Sequence, residues 1–431
     1  MTALAPAPTA APSPGAHRHV QVVSRKAPIA FAIVTGLFAL LLLAAPREGD
    51  ATFRFASVGD LFTIPDATVP GMTTAWVTVV LMAVATAVAF VLVGRRRPVP
   101  AWISLVFALV FLVGFLAWAA AGSASDIPAV RLIGGSVLLS VPIVFGALGG
   151  VIGERAGVVN IAIEGQLLAG AFTAAFVGSV TRSPFAGLIA AIVSGVLVAL
   201  VLGLFAITYK VNQVIVGVVL NVLVIGLTSF LYSQVLVPNA ESLNDTERFS
   251  RIAIPVLSKI PVIGPALFHQ TIVVYIMYLA VPAVWFALMR MRWGLRVRAV
   301  GEHPSAADTV GIKVERTRYR ALMIAGAITG VGGAFYTVVS VSSFGKEMTA
   351  GAGFIALAAV IFGKWDPIRA ALAALLFGFA SNLEGALSIV GAPVPSQFML
   401  MLPYVVTILA VAGLVGRSRA PAADGVPYIK E

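Results

Sequence analysis

The stretch RMRWGLRVRAVGEHPSAADTVGIKVERTRYR, residues 290–320, decides how the rest of the chain reads. Its bases are Arg290, Arg292, Arg296, Arg298, Lys313, Arg316, Arg318 and Arg320; against Glu302, Asp308 and Glu315 they leave a net of +5. Apolar runs flank it on both sides, each near the length of about 20 residues that a bilayer crossing needs. Loops rich in Lys and Arg stay on the cytoplasmic side. The stretch therefore reads as a cytoplasmic loop between two membrane spans. The small residues and helix formers between Gly301 and Gly311 suit contact with a soluble partner.

The composition of the whole chain agrees. The chain has 431 residues, 59% hydrophobic and 11% charged, with a mean hydropathy of +1.00. A soluble domain carries about 25% charge. The expected fold class is an all-α polytopic membrane protein, a bundle of about ten to twelve transmembrane helices. The net charge of +11 does not indicate nucleic acid, because the bases sit in short clusters between apolar runs. The chain has no Cys, which excludes disulfides and thiolate metal sites. Its four His, at 17, 19, 269 and 303, lack metal-ligand spacing, so no metal is expected.

Residues 1–27 are rich in Ala and Pro and read as a disordered tail. Apolar runs follow at 29–45, 72–94, 101–121, 130–152, 156–181, 184–209, 211–237, 269–289, 321–343, 351–363, 367–391 and 397–416. The first is read as a retained helix rather than a signal peptide. The 351–363 run is the shortest; it is taken as a crossing, with a half-helix or re-entrant segment as the alternative. Arg95-Arg96-Arg97, the 290–320 loop, Lys364 with Arg369, and Arg417 with Arg419 then fall inside. Both termini of the multi-pass chain are expected in the cytoplasm. The 238–268 connection falls outside, where Pro255, Pro261 and Pro265 argue against one continuous helix. The expected organisation is a tail at 1–27, additional helices at 28–121, a core at 130–416 and a cytoplasmic tail at 417–431.

No soluble catalytic signature appears. Gly345-Lys346 is followed by Glu347 and Gly363-Lys364 by Trp365, so there is no phosphate loop, and no ATP hydrolysis by this chain is expected. What remains is polar chemistry inside apolar runs. Asn160 and Glu164 are four apart, which on a helix places them on one face. A carboxylate at membrane depth needs a partner or a wet cavity. Asn212, Gln213 and Asn221 open the seventh run, and Asn382 and Glu384 lie in the eleventh. Each is readable as an inter-helix hydrogen bond; as a group, Asn160, Glu164, Asn221, Asn382 and Glu384 read as a polar translocation path. Ala325-Gly326-Ala327, Gly330 and Gly332-Gly333 read as close helix packing. Asp366 and Pro367 read as a helix cap and first position.

ERAGVVNIAIEGQ, residues 154–166, resembles the signature of permease subunits of bacterial ATP-binding-cassette importers, in the branched-chain amino acid, ribose and nucleoside permease superfamily. Trp293-Gly294-Leu295-Arg296, Gly301-Glu302-His303-Pro304 and Ala306-Ala307-Asp308-Thr309-Val310-Gly311 are similar to the cytoplasmic loop of its nucleoside branch. The resemblance covers about 130–416, and the first 120 or so residues are longer than that branch leads one to expect. It implies a permease without its own ATPase site or cofactor. The implied partners are a second homologous permease, a cytoplasmic ATPase that binds the ATP, and an extracytoplasmic purine-nucleoside-binding lipoprotein. It implies that Gly301, Glu302, His303, Ala307, Asp308 and Gly311 belong to a short coupling helix, flanked by Arg residues that grip lipid headgroups and the ATPase. The five polar residues above would line the nucleoside path, with Phe172 or Phe379 available to stack. The open alternatives are a simple-sugar or branched-chain amino acid permease of the same superfamily, and a proton-coupled carrier using Glu164 and Glu384. An intramembrane enzyme lacks a paired nucleophile and base, and a membrane scaffold would transport nothing.

Overall fold

The computed structural model describes residues 25–56, 59–391, 401 and 419–430. The expected run at 397–416 and most of the 1–27 tail lie outside the described residues.

The helices in order are α1 (Lys26–Ala44), α2 (Gly71–Gly94), α3 (Ala101–Ala120), α4 (Ala129–Arg155), α5 (Ile163–Thr181), α6 (Pro184–Gly203) and α7 (Gln213–Leu231). Then come α8 (Ala240–Leu243), α9 (Ile263–Leu267), α10 (Ile272–Arg290), α11 (Arg292–Glu302), α12 (Pro304–Thr309), α13 (Val314–Phe335), α14 (Ala352–Phe362) and α15 (Pro367–Val390). α6, α7 and α13 continue into π-helical turns at Leu204–Thr208, Tyr232–Leu236 and Tyr336–Val341. Among the described residues, ten of these helices are long and apolar enough to cross a membrane. α14 is not: its 11 residues rise only about 16 Å at 1.5 Å each, half of a hydrocarbon core. α14 therefore supplies only half of a crossing as helix; residues 342–351 before it are non-helical, and Trp365 after it meets Glu154 and Arg155 at the end of α4.

Local chemistry sets the helix starts. Asn212 Oδ1 accepts the Val214 N–H at 3.0 Å and opens α7. Asp366 Oδ1 accepts the Arg369 N–H at 3.0 Å, with Pro367 at the first position of α15, as the sequence predicts. Short strands were not legible in the sequence. β1 (Asp50–Arg54) pairs antiparallel with β2 (Ala67–Pro70) and parallel with β3 (Ile127–Pro128). β4 (Arg251–Ala253) pairs antiparallel with β5 (His269–Thr271), so the 238–268 connection is broken into short elements.

The chain divides into two compact units. Residues 1–46 and 75–115 form one, in which Phe31 stacks on Phe107 with centroids 4.2 Å apart and Phe38 meets Phe111 edge-on. Residues 47–74 and 116–431 form the other. There α4 is the most buried span and packs against α13, α14 and α15. The glycine-rich face of α13 meets α5 and α6 closely, as expected: a Cβ on Gly326 would strike Gly195, on Gly330 the Ala191 carbonyl, and on Gly333 the Leu167 carbonyl. The outward faces of α6 and α7 expose Ile189, Val193, Leu197, Val218 and Val222, surface suited to lipid or to another span.

Candidate functional site: a helix break braced by amides and a carboxylate

α4 ends at Arg155, and Gly157 turns the chain with φ +82°, a conformation that side chains other than glycine's rarely adopt. The backbone then runs without helix to Ala162, and α5 begins at Ile163. Asn160 therefore lies in the break and not on α5, and the expected shared helical face with Glu164 does not exist. The reason is Gly157, whose turn interrupts the period on which that reading depended. Ile163 packs where a Cβ on Gly146 or Gly150 would sit. α5 thus starts level with turns of α4 well before its end, and residues 158–162 fold back between the helices.

Irregular backbone at this depth has no water to bond to, so side chains must satisfy it. Gln213 Oε1 accepts the Val159 N–H at 2.8 Å. Asn221 takes both sides of the next turn: its Oδ1 accepts the Gly165 N–H at 2.8 Å and its Nδ2 donates to the Ile161 carbonyl at 2.9 Å. Asn160 Nδ2 donates to Gln166 Oε1 at 3.2 Å. Asn160, Gln166, Gln213 and Asn221 are all buried. Asn160 Oδ1, Gln166 Nε2 and Gln213 Nε2 have no further hydrogen-bond partner among the described residues.

Glu164, 5% exposed, sits in the first turn of α5 and reaches the first turn of α14. Its carboxylate accepts from Thr349 Oγ1 at 2.5 Å, the Gly351 N–H at 3.0 Å and the Gly353 N–H at 2.6 Å. Hydrogen bonds to a charged acceptor contribute about 1.5–3 kcal/mol each. The N-terminal ends of two helices converge on the same anion, which adds dipole attraction. Thr349 was missed in the sequence, since nothing local ties it to a residue so far upstream.

Asn382 and Glu384 do not join this cluster. Asn382 Nδ2 donates to the Leu132 carbonyl at 2.7 Å and to Ser136 Oγ at 3.2 Å, near the start of α4. Counted along α4 from those turns to Gly146 and Gly150, the two groups lie roughly 20–25 Å apart. Glu384, two residues on, points away from Asn382 on the helix. Asn382 lines a cavity of 130 Å³ with Ile127, Arg131, Leu132 and Val390. Beside it a wider cavity of 530 Å³ is lined by Arg54, Arg131, Arg251, His269 and Gln270. Phe172 is packed edge-on against Phe344 at 5.2 Å, and Phe379 is half-buried on α15.

The basic loop holds two helices in place of the expected one. Gly301 and Glu302 end α11, His303 is the joint, and Ala307 and Asp308 lie on α12, which stops before Gly311 at φ +85°. Gly301 presses directly on the Arg155 carbonyl, where a Cβ would not fit. Glu302 Oε2 accepts the Ala422 N–H at 3.2 Å, and Asp308 pairs with Lys430 at 3.4 Å. Ala307 is buried with Val300 and Val314. Near the end of α4, Trp365 Nε1 donates to the Glu154 carboxylate, and Arg155 Nε donates to the Trp365 carbonyl at 2.9 Å. Burial pushes the Asp424 carboxyl up to about 7, although Arg318 and the Gly425 N–H pull it down. Among the described residues no group of three or more His, Asp or Glu is placed to hold a metal.

Comparison with known proteins matches residues 132–411 to the family described as branched-chain amino acid transport system / permease component. The guanosine ABC transporter permease protein NupQ of Bacillus subtilis is 41% identical over 308 residues, covering 69% of this chain and 96% of NupQ. The nucleoside ABC transporter permease protein NupC of Lactococcus lactis is 38% identical over 314 residues, with 69% and 96% covered. The putative glucose ABC transporter permease protein TsgC13 of Haloferax volcanii is 34% identical over 314 residues, with 68% and 94% covered. No solved structure matches the chain.

Proposed function

This chain belongs to the permease components of branched-chain amino acid transport systems, the permeases of ATP-binding-cassette importers, and on that premise we propose that it carries nucleosides, purine nucleosides foremost, into the cell. As a permease component it is the transport part of the machine and not its catalyst. The observation that carries the substrate reading is the similarity to two nucleoside permeases across nearly their whole length. The geometry supports a route past the α4–α5 break. Asn160, Gln166 and Gln213 there hold spare donors and acceptors that suit ribose hydroxyls and base edges. They are buried in this conformation, so the path opens only when the bundle moves.

The drive comes from outside the chain. On this reading α11 and α12 face a separate ATPase, with the basic end of the bundle and both termini in the cytoplasm. Closure of the ATPases on ATP displaces α12, and the displacement reaches the break through Gly301 against Arg155. A second permease and an extracytoplasmic binding protein complete the assembly, the latter delivering substrate at the Asn382 end. The proton-coupled carrier falls away with membership of this family.

The test is uptake of labelled guanosine by proteoliposomes holding the full assembly, competed by guanosine, adenosine, ribose, glucose and leucine. Competition by nucleosides alone, dependent on internal ATP, is the expected result. The similarity to a putative glucose permease favours one second reading, a simple-sugar importer; competition by glucose or ribose and not by nucleosides would select it.

A further inference from the structure

The segment 419–430 lies against α11 and α12, on the coupling face. α12 needs holding. Its six residues fall far below the 12–15 or so at which an isolated helix becomes even marginal in water. It hangs from α11 by His303, whose backbone is non-helical at φ −142° and ψ 84°. A push on so short a helix, with so open a joint, would be spent at the joint.

Residues 421–430 reach every part of this lever. The Ala423 N–H donates to the Gly301 carbonyl at 2.9 Å, and the Ala422 N–H to Glu302 at 3.2 Å, both at the end of α11. Tyr428 packs against the buried group of Val300, Ala307 and Val314, which joins α11, α12 and α13. Lys430 pairs with Asp308 of α12; it is 73% exposed, so the pair orients more than it holds. The buried Arg318 of α13 donates from Nη1 to the Val426 carbonyl at 3.0 Å. The same segment touches the helix break: a Cβ on Gly157 would lie 3.1 Å from the Ala423 carbonyl oxygen, and one on Gly425 3.4 Å from Val159 Cγ2.

We propose that residues 421–430 are a strap that ties α12 to the α4–α5 break, so that movement of α12 is transmitted to residues 156–162 and is not lost at His303. Ala423 and Tyr428 are its positioning residues. Ala423 bonds the end of α11 while its carbonyl covers Gly157; Tyr428 closes the seam between α11, α12 and α13. The strap rests on the reading of α12 as the ATPase-facing helix, and the experiment separates the two.

Ala423→Pro, which removes the N–H given to Gly301, and Tyr428→Ala are assembled with the ATPase, the second permease and the binding protein in proteoliposomes. The ATP consumed per guanosine imported is measured, with amide hydrogen exchange over 301–311. The expected result is normal co-purification of the ATPase, a tenfold or greater rise in ATP consumed per guanosine, and faster exchange over 301–311. Tyr428→Phe should return the ratio to within twofold of wild type. Ala306→Arg, on the exposed side of α12, is the companion and should lose the ATPase. Retention of the ATPase by Ala306→Arg would overturn the reading of α12. Loss in Ala306→Arg, with a wild-type ratio in both strap variants, would overturn the strap alone. Loss of the ATPase from Tyr428→Ala would also overturn it, since the segment would then be a docking surface and not a transmitter.

Discussion

The Glu164 carboxylate in the first turn of α5 accepts the Gly353 amide in the first turn of α14 at 2.6 Å. The bond joins two interrupted elements far apart in sequence. It supplies the acceptor that the α14 terminus lacks within its own helix, and it supplies the buried charge with its donors. Each half of the relationship accounts for the other.

Glu164→Gln keeps the size of the side chain but replaces one acceptor oxygen by a donor NH₂ facing Thr349 or a backbone N–H. The expected loss is about 1.5–3 kcal/mol of stability, read as a lower thermal midpoint of the detergent-purified permease. Uptake should fall with it by tenfold or more. An unchanged midpoint would show that α14 does not depend on this carboxylate.

Asn221→Leu preserves bulk in α7 but leaves the Ile161 carbonyl and the Gly165 N–H without their partner. Each buried orphan costs about 1–3 kcal/mol. Amide exchange across 158–166 should accelerate while that of α10 stays unchanged. Equal protection of both would refute the bracing role.

Gly330→Ala places a Cβ against the Ala191 carbonyl and Ile192 Cα. Overpacking of this kind costs about 1–3 kcal/mol, and folded yield should drop. Gly226→Ala on α7 meets nothing within 4 Å and removes a helix-interior glycine, a gain of up to about 1 kcal/mol. A pair of thermal unfolding curves with opposite shifts is the expected record.

Release of the 421–430 segment should depend on pH through Asp424, which faces Arg318 and Glu154. Its carboxyl is raised from 3.8 to about 7 when the segment is docked. Between those values the docked state holds more proton than the released one, so docking is tightest at low pH and weakens as pH rises toward 7. Above that the dependence flattens. Limited proteolysis of the segment between pH 5 and 8 should show cleavage rising with pH, and Asp424→Asn should flatten the profile.

Read alone, the residues settle the class of molecule and most of its helices. Hydrocarbon runs and basic clusters are local properties, and a bilayer imposes one length and one orientation rule on them. The close packing of Gly326, Gly330 and Gly333 and the capping by Asp366 were legible for the same reason: a missing Cβ and a short acceptor act where they stand. The polar core was legible as a set of residues but not as an arrangement. Spacing put Asn160 and Glu164 on one helical face; the turn at Gly157 put one in the break and turned the other toward α14. Asn382 belonged to the same list and bonds the far end of α4. The partners that give these groups meaning, Thr349 for Glu164 and Ala423 for Gly301, stand more than a hundred positions away. Pairing across such distances is decided by which helices pack together, and no local pattern of residues encodes that choice.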